Sequence, residues 1–248
     1  LIDKNHKPKA YVDVRDTKKI EKETLNLLED YKIPFFPNSE IEGCDGKNEI
    51  KKVNIRNKKD KIIKIKTSML CISGGLNPDI HLFTQSRGLV KWDEKILTFK
   101  PEKSFQATTA IGSTSGNYSF EKLADEINKK LNFITNSNNI KLDLEISGPK
   151  NFNIKEIWET KNLKKSLWSK SFIDLHNDVT TKDLKQAIKE GFNRVEHLKR
   201  FTTNSMGTDQ GKISSINALG VASKLLKKSI SEVGTTTYRP PYSPVSFS

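Results

Sequence analysis

The sequence predicts an α/β fold, on the strength of two features near its start. A short apolar strand over 10–14 precedes a segment whose apolar residues are spaced for one helix face, and a second strand follows over 33–37. Residues 50–55 and 61–67 then alternate apolar and charged positions, as a β-hairpin does. A β-α-β unit followed by a hairpin indicates an α/β domain with an antiparallel insertion.

The middle of the chain predicts fewer regular elements. We expect a buried strand over 68–72, an irregular stretch over 80–104 and another strand over 105–111. A helix is expected over 119–131, and the Asn-rich residues 133–153 are expected to form a surface excursion or linker.

The last third of the sequence changes character and predicts helices. Thr180 and Asp183 can cap a helix over 182–190, and short helices are expected over 195–200 and 217–226. A proline-rich tail follows. It predicts an extended linker, because proline lacks the amide hydrogen that a helix needs.

Charge and cysteine content exclude several classes of protein. The 248 residues carry 43 basic and 30 acidic side chains, a net charge of +13, but lysine outnumbers arginine 37 to 6 and the excess is spread along the chain. A nucleic-acid-binding protein more often clusters arginine, so we expect no nucleic-acid partner. No apolar run approaches the ~20 residues of a membrane span. Cys44 and Cys71 are too few for a disulfide framework or a cysteine zinc site, and we expect a cytoplasmic location.

The carboxyl end of the first predicted strand is the first candidate site. Asp13 lies there, with Arg15 two residues further on. In a dinucleotide-binding unit, an acidic residue at a strand end bonds the ribose hydroxyls of the nucleotide. The alternative is that Asp13 and Arg15 only solvate the strand end. The glycine-rich turn of such a unit would lie before Leu1, so we expect this chain to be an internal fragment.

Two glycine-containing turns are further candidates for nucleotide binding. Gly74, Gly75 and Asn77 follow a predicted strand, where glycines let the backbone approach a ligand closely. Gly112 and Ser113 lie between a predicted strand and a predicted helix, and a helix N-terminus favours anions. A tight turn without a ligand is the alternative for the first of them.

Several motifs resemble the α subunit of heterotetrameric sarcosine oxidase. They comprise the turn over 73–78, the segments over 172–180 and 195–203, the block Met206–Lys212 and the stretch over 234–244. The resemblance implies part of a two-dinucleotide-binding flavoprotein-like domain with NAD. It also implies a complex with β, γ and δ subunits that oxidises sarcosine to glycine. FAD is then expected in the β subunit, FMN between α and β, and transfer of the one-carbon unit to tetrahydrofolate.

The helical segment also resembles small ferredoxin-like domains that hold a [2Fe–2S] cluster on Cys-x-Cys and Cys-x4-Cys. The four ligand positions fall on Asp174, His176, Asp209 and Ser214, none of which supplies the thiolate that such a cluster favours. The resemblance therefore implies a helical ferredoxin-like domain that lacks cluster ligands, with no iron–sulfur cluster and no metal. A harder metal on the first three positions is left open beside a hydrogen-bonding role.

The loop that contains Met206–Lys212 is the remaining candidate site. Its glycines free the backbone to curl around an anion, and its hydroxyl, amide and ammonium groups suit a phosphate. By the resemblance, we expect the loop to contact FMN or line its cavity through Thr202, Thr203, Gly207, Thr208, Gln210 and Lys212. The alternative is a loop ordered only by packing against the β subunit.

No residue is a credible base or nucleophile for amine oxidation, so we expect no catalytic residue in this chain. An alternative function is a non-catalytic binding or electron-transfer subunit of another amine or opine dehydrogenase complex. The predicted domains are a nucleotide-binding α/β domain over 1–150, a cluster-less ferredoxin-like domain over 155–230 and a linker to a folate-binding domain over 231–248.

Overall fold

The chain divides into two units by its internal contacts. The computed structural model describes residues 6–136, 154–161, 164–240 and 243. One unit consists of Leu1–Gly75 and Asn153–Leu163, and the other of Leu76–Phe152 and Lys164–Ser248. The predicted domain boundaries rest on sequence character rather than on contacts, and they stay predictions.

The first unit begins with a β-α-β arrangement. Strand β1, Tyr11–Val12, pairs in parallel with β2, Phe35–Phe36, and helix α1, Lys22–Asp30, lies between them in the chain. Leu28 on α1 and Ile33 after it are both buried, so the apolar face of the helix packs inward. The predicted order of strand, helix and strand is confirmed.

A three-stranded antiparallel sheet follows in the same unit. It contains β3, Glu40–Asp45, β4, Lys52–Arg56, and β5, Ile62–Lys66, in that spatial order. Val53 and Ile55 are buried on one face of β4, as the period of two in a strand requires. The predicted hairpin is confirmed, whereas β3 was not expected, because its sequence contains a single large apolar residue.

Two of the predicted strands are wrong. Residues 68–72 form no strand, and Met69 and Ile72 are 68% and 81% exposed. Residues 105–111 form bends and coil, and the side chain of Phe105 is exposed. An apolar run makes a strand only where a second strand can pair with its amides and carbonyls, and the described structure offers neither segment such a partner.

The stretch predicted to be irregular in the middle of the chain contains regular elements instead. It forms helix α2, His81–Gln85, and a hairpin of β6, Leu89–Asp93, with β7, Thr98–Lys103. Trp92 and Phe99 face each other across the hairpin with ring centroids 5.2 Å apart. The prediction failed because the apolar residues of these strands do not alternate regularly with polar ones, and β7 contains Pro101.

The rest of the second unit is mainly helical. Its elements are α3, Phe120–Thr135, a hairpin of β8, Phe172–Asp174, with β9, Val179–Thr180, and the helices α4, Thr181–Lys189, α5, Val195–Thr202, α6, Ser214–Leu226, and α7, Ile230–Val233. A capping box of Thr180 and Asp183 begins α4, as predicted. Ala187, Leu198 and Ala222 form a core shared by α4, α5 and α6.

The predicted linkers are described only in part. Helix α3 continues through Thr135, into the linker predicted over 133–153, and residues 137–153 lie outside the described residues. Residues 235–240 have no helix, as predicted for the tail. Within the described ranges, every helix is too short or too polar to cross a membrane. Cys44 and Cys71 are free and exposed.

Candidate functional site

Asp174, at the end of β8, is the centre of a buried hydrogen-bond cluster in the second unit. The residue is fully buried, and both oxygens of its side chain accept hydrogen bonds. Oδ1 accepts from the backbone amides of His176 at 2.9 Å and Asn177 at 3.4 Å. Oδ2 accepts from the amide of Ser205 at 2.7 Å and the hydroxyl of Ser214 at 3.3 Å. These bonds offset the cost of burying a carboxyl group, and they join the turn after β8 to the start of α6.

The four positions singled out by the ferredoxin resemblance lie together. Asp174 bonds the His176 amide and the Ser214 hydroxyl directly. His176 places Nε2 4.0 Å from Oδ1 of Asp209. In the part of the chain that the structure describes, no group of three or more His, Cys, Asp or Glu side chains is arranged to hold a metal ion. The arrangement that the structure supports for these residues is hydrogen bonding.

The loop between α5 and α6 packs closely on the turn after β8. A Cβ on Gly207 would lie 2.6 Å from the Cβ of His176, and a Cβ on Gly211 would lie 2.4 Å from the Cβ of Ser205. Gly211 also has φ of +76°, in the left-handed region that favours glycine. These two glycines are therefore needed to bring the loop against the Asp174 cluster, whatever the loop binds.

Three consecutive backbone amides of this loop are available to a ligand. The amides of residues 204–206 and 210–213 donate to acceptors within the unit. Among the described residues, none accepts a hydrogen bond from the amides of Gly207, Thr208 or Asp209. Successive amides of this kind form anion-binding concavities in proteins. The loop therefore has donors of the kind that a phosphate group requires.

Three of the side chains predicted to bind a phosphate instead hold the loop in shape. The hydroxyl of Thr202 donates to the carbonyl oxygen of Leu198 at 2.7 Å, and the hydroxyl of Thr203 donates to the carbonyl oxygen of Thr202 at 2.6 Å. The side-chain nitrogen Nε2 of Gln210 donates to the carbonyl oxygen of Gly207 at 3.0 Å. The structure therefore gives these side chains an internal role, and phosphate contact by them stays a prediction.

The other two side chains lie nearer the surface. Thr208 is exposed, and its hydroxyl lies 3.5 Å from Nδ1 of His176. Lys212 is about one-third exposed, and its Nζ lies 3.9 Å from Oδ2 of Asp79. Lys212 follows the three available amides within the same loop, and a cation there would add to the attraction that they exert on an anion.

A buried histidine that the sequence assigned no role lies against the same loop. The imidazole of His81 is 2% exposed and stacks on Tyr238, with ring centroids 3.7 Å apart. Its Nε2 lies 3.2 Å from the carbonyl oxygen of Gln210, and its Nδ1 lies 2.9 Å from Oδ1 of Asp79. In the sequence, the Asp-x-His spacing at 79–81 is the one feature that points to His81. Its contacts with Gln210 and Tyr238 cannot be read from that spacing, because both residues are more than a hundred positions away.

The environment of His81 favours its neutral form. Burial lowers the pKa of His81, and this effect outweighs the Gln210 carbonyl and the Asp79 carboxylate, which raise it. A neutral ring has one N–H group, which donates either from Nε2 to the Gln210 carbonyl oxygen or from Nδ1 to the Asp79 carboxylate. Burial also raises the pKa of Tyr238, so the stacked pair is neutral at pH 7. His81 therefore fixes one end of the loop without adding charge.

In the first unit, Asp13 and Arg15 form a close ion pair at the end of β1. The Arg15 amide donates to Oδ1 of Asp13 at 2.8 Å, and the Arg15 guanidinium donates to Oδ2 at 2.8 Å. Burial raises the pKa of Asp13, but the hydrogen bonds from Arg15 outweigh burial and hold the pKa below its ordinary value. Asp13 is therefore a carboxylate at neutral pH, and the pair stabilises the strand end.

In the turn after residue 72, the backbone conformation favours glycine at Gly75 but not at Gly74. A Cβ on either Gly74 or Gly75 would meet nothing within 4 Å, although Gly75 has φ of +96°. Asn77, at the start of the second unit, accepts a hydrogen bond from the hydroxyl of Thr98. Nucleotide binding by these three residues stays a prediction.

The predicted anion site at Gly112 already faces an anion of the chain itself. The Gly112 amide donates to Oε2 of Glu126, on α3, at 2.9 Å. Gly112 is buried with φ of +64°, and Ser113 beside it is exposed. The carboxylate of Glu126 thus takes up the donor that a bound nucleotide phosphate would have used.

Comparison with known proteins gives a family match for the C-terminal third of the chain. Residues 168–248 match the family described as Sarcosine oxidase A3 domain. The chain is related to sarcosine oxidase α subunits. It is 34% identical over 190 residues to the sarcosine oxidase subunit alpha of Rhizobium meliloti (strain 1021), and 29% identical over 208 residues to that of Corynebacterium sp. (strain P-1). These alignments cover 74% of this chain and 19% and 20% of the relatives, so the chain spans about a fifth of their length.

The fold also resembles a solved structure. The crystal structure of L-proline dehydrogenase from P. horikoshii matches with a TM-score of 0.56 and 18% sequence identity. The match covers 95% of this chain and 49% of that chain. The resemblance to the sarcosine oxidase family is thus confirmed by sequence, and the proline dehydrogenase likeness concerns the fold alone. The Asp174 cluster and its loop both lie within the A3 domain.

Replacing Asp174 tests the hydrogen-bond cluster of the A3 domain. In Asp174→Asn, an NH2 group faces donors that a carboxylate oxygen accepted, so we expect the free energy of unfolding to fall by about 2–4 kcal/mol. Urea unfolding of the full chain, followed by circular dichroism, measures the change. Asp178→Asn is the matched control, because Asp178 lies in the same turn, is exposed and has φ of +53°. Equal small losses in both variants would contradict the assigned role of Asp174.

The lowered pKa of His81 predicts that its contacts with Gln210 and Tyr238 stabilise the protein less at acid pH. Because protonation favours the unfolded state, the stability that neutral His81 confers is complete above the unfolded-state pKa of about 6.5 and is lost as pH falls below it. We expect His81→Phe, which keeps an aromatic ring against Tyr238, to reduce the stability difference between pH 7 and pH 5. Thermal unfolding at both pH values measures this, with the exposed His197→Gln as control. An unchanged pH dependence in His81→Phe would refute the interpretation.

Proposed function

We propose that the chain is part of the α subunit of a sarcosine oxidase complex, an oxidoreductase that acts on a CH–NH group. The reaction would convert sarcosine to glycine and pass the one-carbon unit to tetrahydrofolate. The observation that carries the proposal is the match of residues 168–248 to a domain family described for sarcosine oxidase. The names of the relatives support the same assignment.

The proposed complex contains β, γ and δ subunits, with NAD in the α subunit, FAD in the β subunit and FMN between the two. Leu175, Met206 and Ile213 support a partner surface beside the loop. They flank the Asp174 cluster in sequence, and they are 74%, 49% and 66% exposed. Large apolar side chains that are exposed in the free chain are the kind that a partner interface buries. We assign this surface to the flavin-bearing β subunit.

We assign the FMN phosphate to the loop between α5 and α6. The amides of Gly207, Thr208 and Asp209 would donate to phosphate oxygens, and Lys212 would supply a positive charge. The Asp209 carboxylate is engaged by the amides of Gly211 at 3.1 Å and Ile213 at 3.2 Å, which limits its repulsion of an anion. FMN, when bound, supplies the electron-transfer chemistry. The residues of this chain hold and orient it and supply no acid or base.

We further propose that the A3 domain is a ferredoxin-like module without cluster ligands. The spacing Asp174-x-His176 and Asp209-x4-Ser214 corresponds to Cys-x-Cys and Cys-x4-Cys. Contacts among these residues support the correspondence, because Asp174 bonds both His176 and Ser214. A carboxylate and a hydroxyl hydrogen-bond each other, whereas thiolates would repel without a metal.

A second candidate function is an electron-transfer subunit of another amine or opine dehydrogenase complex. The fold likeness to L-proline dehydrogenase favours it, since that protein is also named for oxidation of an amine. The residues that follow Ser248 in the full protein separate the two. A folate-binding domain there supports sarcosine oxidase, and its absence supports the alternative.

FMN content of the assembled complex tests the proposed loop. We expect Lys212→Met to lower FMN per complex by about threefold or more, because a charged contact to phosphate is removed. Flavin is measured by absorbance after release and chromatographic separation of FMN from FAD. Lys224→Met, at an exposed site on α6, is the control. Unchanged FMN content and unchanged transfer of electrons to FMN in Lys212→Met would remove the loop from the proposal.

Binding of NAD tests the assignment of Asp13. A ribose would share the carboxylate with Arg15, so Asp13→Asn should weaken NAD binding by about tenfold, the loss of one charged hydrogen bond. Isothermal titration of the full α subunit measures the affinity, and Asp30→Asn on the exposed end of α1 is the control. Equal NAD affinity in both variants, with lower stability only in Asp13→Asn, would show that Asp13 serves the ion pair alone.

A further inference from the structure

A small cavity lies between α4, α5 and α6, and Asn204 of the loop that joins α5 to α6 forms part of its wall. Its volume is about 20 Å³, enough for a ligand of one or two non-hydrogen atoms. Apolar side chains such as Leu184 and Leu219 form most of its wall. Four polar residues also line it: Lys199, Asn204, Ser215 and Thr236, which are 7%, 6%, 4% and 4% exposed.

The polar groups of this cavity are complementary, yet they do not contact each other. Oδ1 of Asn204 and Oγ1 of Thr236 are buried without a hydrogen-bond partner. The structure shows no hydrogen bond or ion pair between the Lys199 amine and any described residue. Buried polar groups in proteins are normally paired. The cavity therefore suits a small ligand that donates a hydrogen bond to Oδ1 of Asn204 or Oγ1 of Thr236, and Lys199 is the amine-bearing residue of its wall.

The charges around Lys199 favour a neutral amine. Burial lowers the pKa of Lys199, and the positive charges of Arg239 and Arg200 add to this, against the opposing effect of Glu196. Glu196 is already occupied, because its carboxylate accepts from the Thr237 amide at 3.0 Å and lies 3.3 Å from Arg200. A neutral lysine amine is a nucleophile toward carbonyl groups, as in Schiff-base lysines.

We propose that this cavity is a site where the Lys199 amine adds to formaldehyde, the smallest carbonyl compound. Nζ forms a bond to the carbonyl carbon, the π electron pair moves to the oxygen, and the proton lost by nitrogen ends on that oxygen. The resulting hydroxymethyl amine donates its hydroxyl hydrogen to Oδ1 of Asn204 or Oγ1 of Thr236. Loss of water then gives a neutral methylene imine, which becomes the iminium by taking up a proton from solvent, and no oxidant or reductant is required.

The choice of aldehyde rests in part on the proposed function. Two-electron oxidation of an N-methyl amine and hydrolysis of the product release formaldehyde and the demethylated amine. A protein that demethylates sarcosine therefore produces the carbonyl compound that fits a cavity of this size. Lys199 would capture one-carbon units that escape transfer.

Reductive trapping tests the site without any enzyme activity. The full chain is treated with limiting formaldehyde and cyanoborohydride, which converts lysine adducts to methyl-lysine, and peptide mass spectrometry gives methylation at each lysine. We expect Lys199 to be methylated about threefold faster than exposed Lys224 or more, because more of its amine is neutral. Thr236→Val should slow methylation of Lys199 and leave that of Lys224 unchanged. Methylation of Lys199 no faster than that of Lys224, or a rate unaffected by both Thr236→Val and Asn204→Leu in folded variants, would overturn the proposal.

A second experiment separates the site from the proposed function. The assembled complex is given sarcosine labelled with ¹³C in its methyl group, together with cyanoborohydride. Label on Lys199 supports both the site and its supply. Methylation of Lys199 by added formaldehyde but not from labelled sarcosine would retain the site and contradict its supply by sarcosine oxidation.

Discussion

The second unit depends on one buried carboxyl group. Asp174 has no exposed surface, and its oxygens accept hydrogen bonds from the turn after β8, from the loop after α5 and from the first residue of α6. A side chain so placed costs free energy if any of these donors moves away, because both the donor and the acceptor would then be buried without partners. The loop therefore has one favoured position, and its three available amides are held in place with it.

The packing around the loop between α5 and α6 also restricts it to one position. Gly207 and Gly211 bring the backbone into contact with His176 and Ser205, where a side chain of any size would force the loop outward. On the other side, His81 holds the Gln210 carbonyl and stacks on Tyr238 of the tail. Rigid presentation of amides is what anion binding needs, since donors that are already oriented lose little entropy when a ligand arrives. The loop between α5 and α6 is in this sense suited to a phosphate.

Much of the helical part could be predicted from the sequence, because its signals are local. The capping box at Thr180 and Asp183 and the glycine after α4 mark boundaries within a few residues of themselves. The strands near 68–72 and 105–111 could not be judged this way, since a strand exists only with a partner elsewhere in the chain. The hairpin of β6 and β7 was missed because its strands lack a regular alternation of apolar and polar residues, and the cross-strand pair of Trp92 and Phe99 stabilises it instead.

At the candidate site, too, the sequence predicted local features but not contacts between distant segments. The motifs singled out Asp174, His176, Asp209 and Ser214, and contacts in the structure connect them, although their correspondence to cluster ligands stays a prediction. They could not show that the side chains of Thr202, Thr203 and Gln210 donate hydrogen bonds to backbone carbonyl groups nearby in the chain. Nor could they show the contact of His81 with a loop 129 residues away, or the cavity beside Lys199, because both arise from packing between distant segments.

The most direct measurement is a nuclear magnetic resonance titration of the ¹⁵N-labelled full chain with FMN, with riboflavin as the phosphate-free control. If the loop is a preformed phosphate site, the amide resonances of Gly207, Thr208 and Asp209 shift in a saturable way with FMN and stay in place with riboflavin. Shifts that avoid these three amides, or that riboflavin reproduces, would contradict the account.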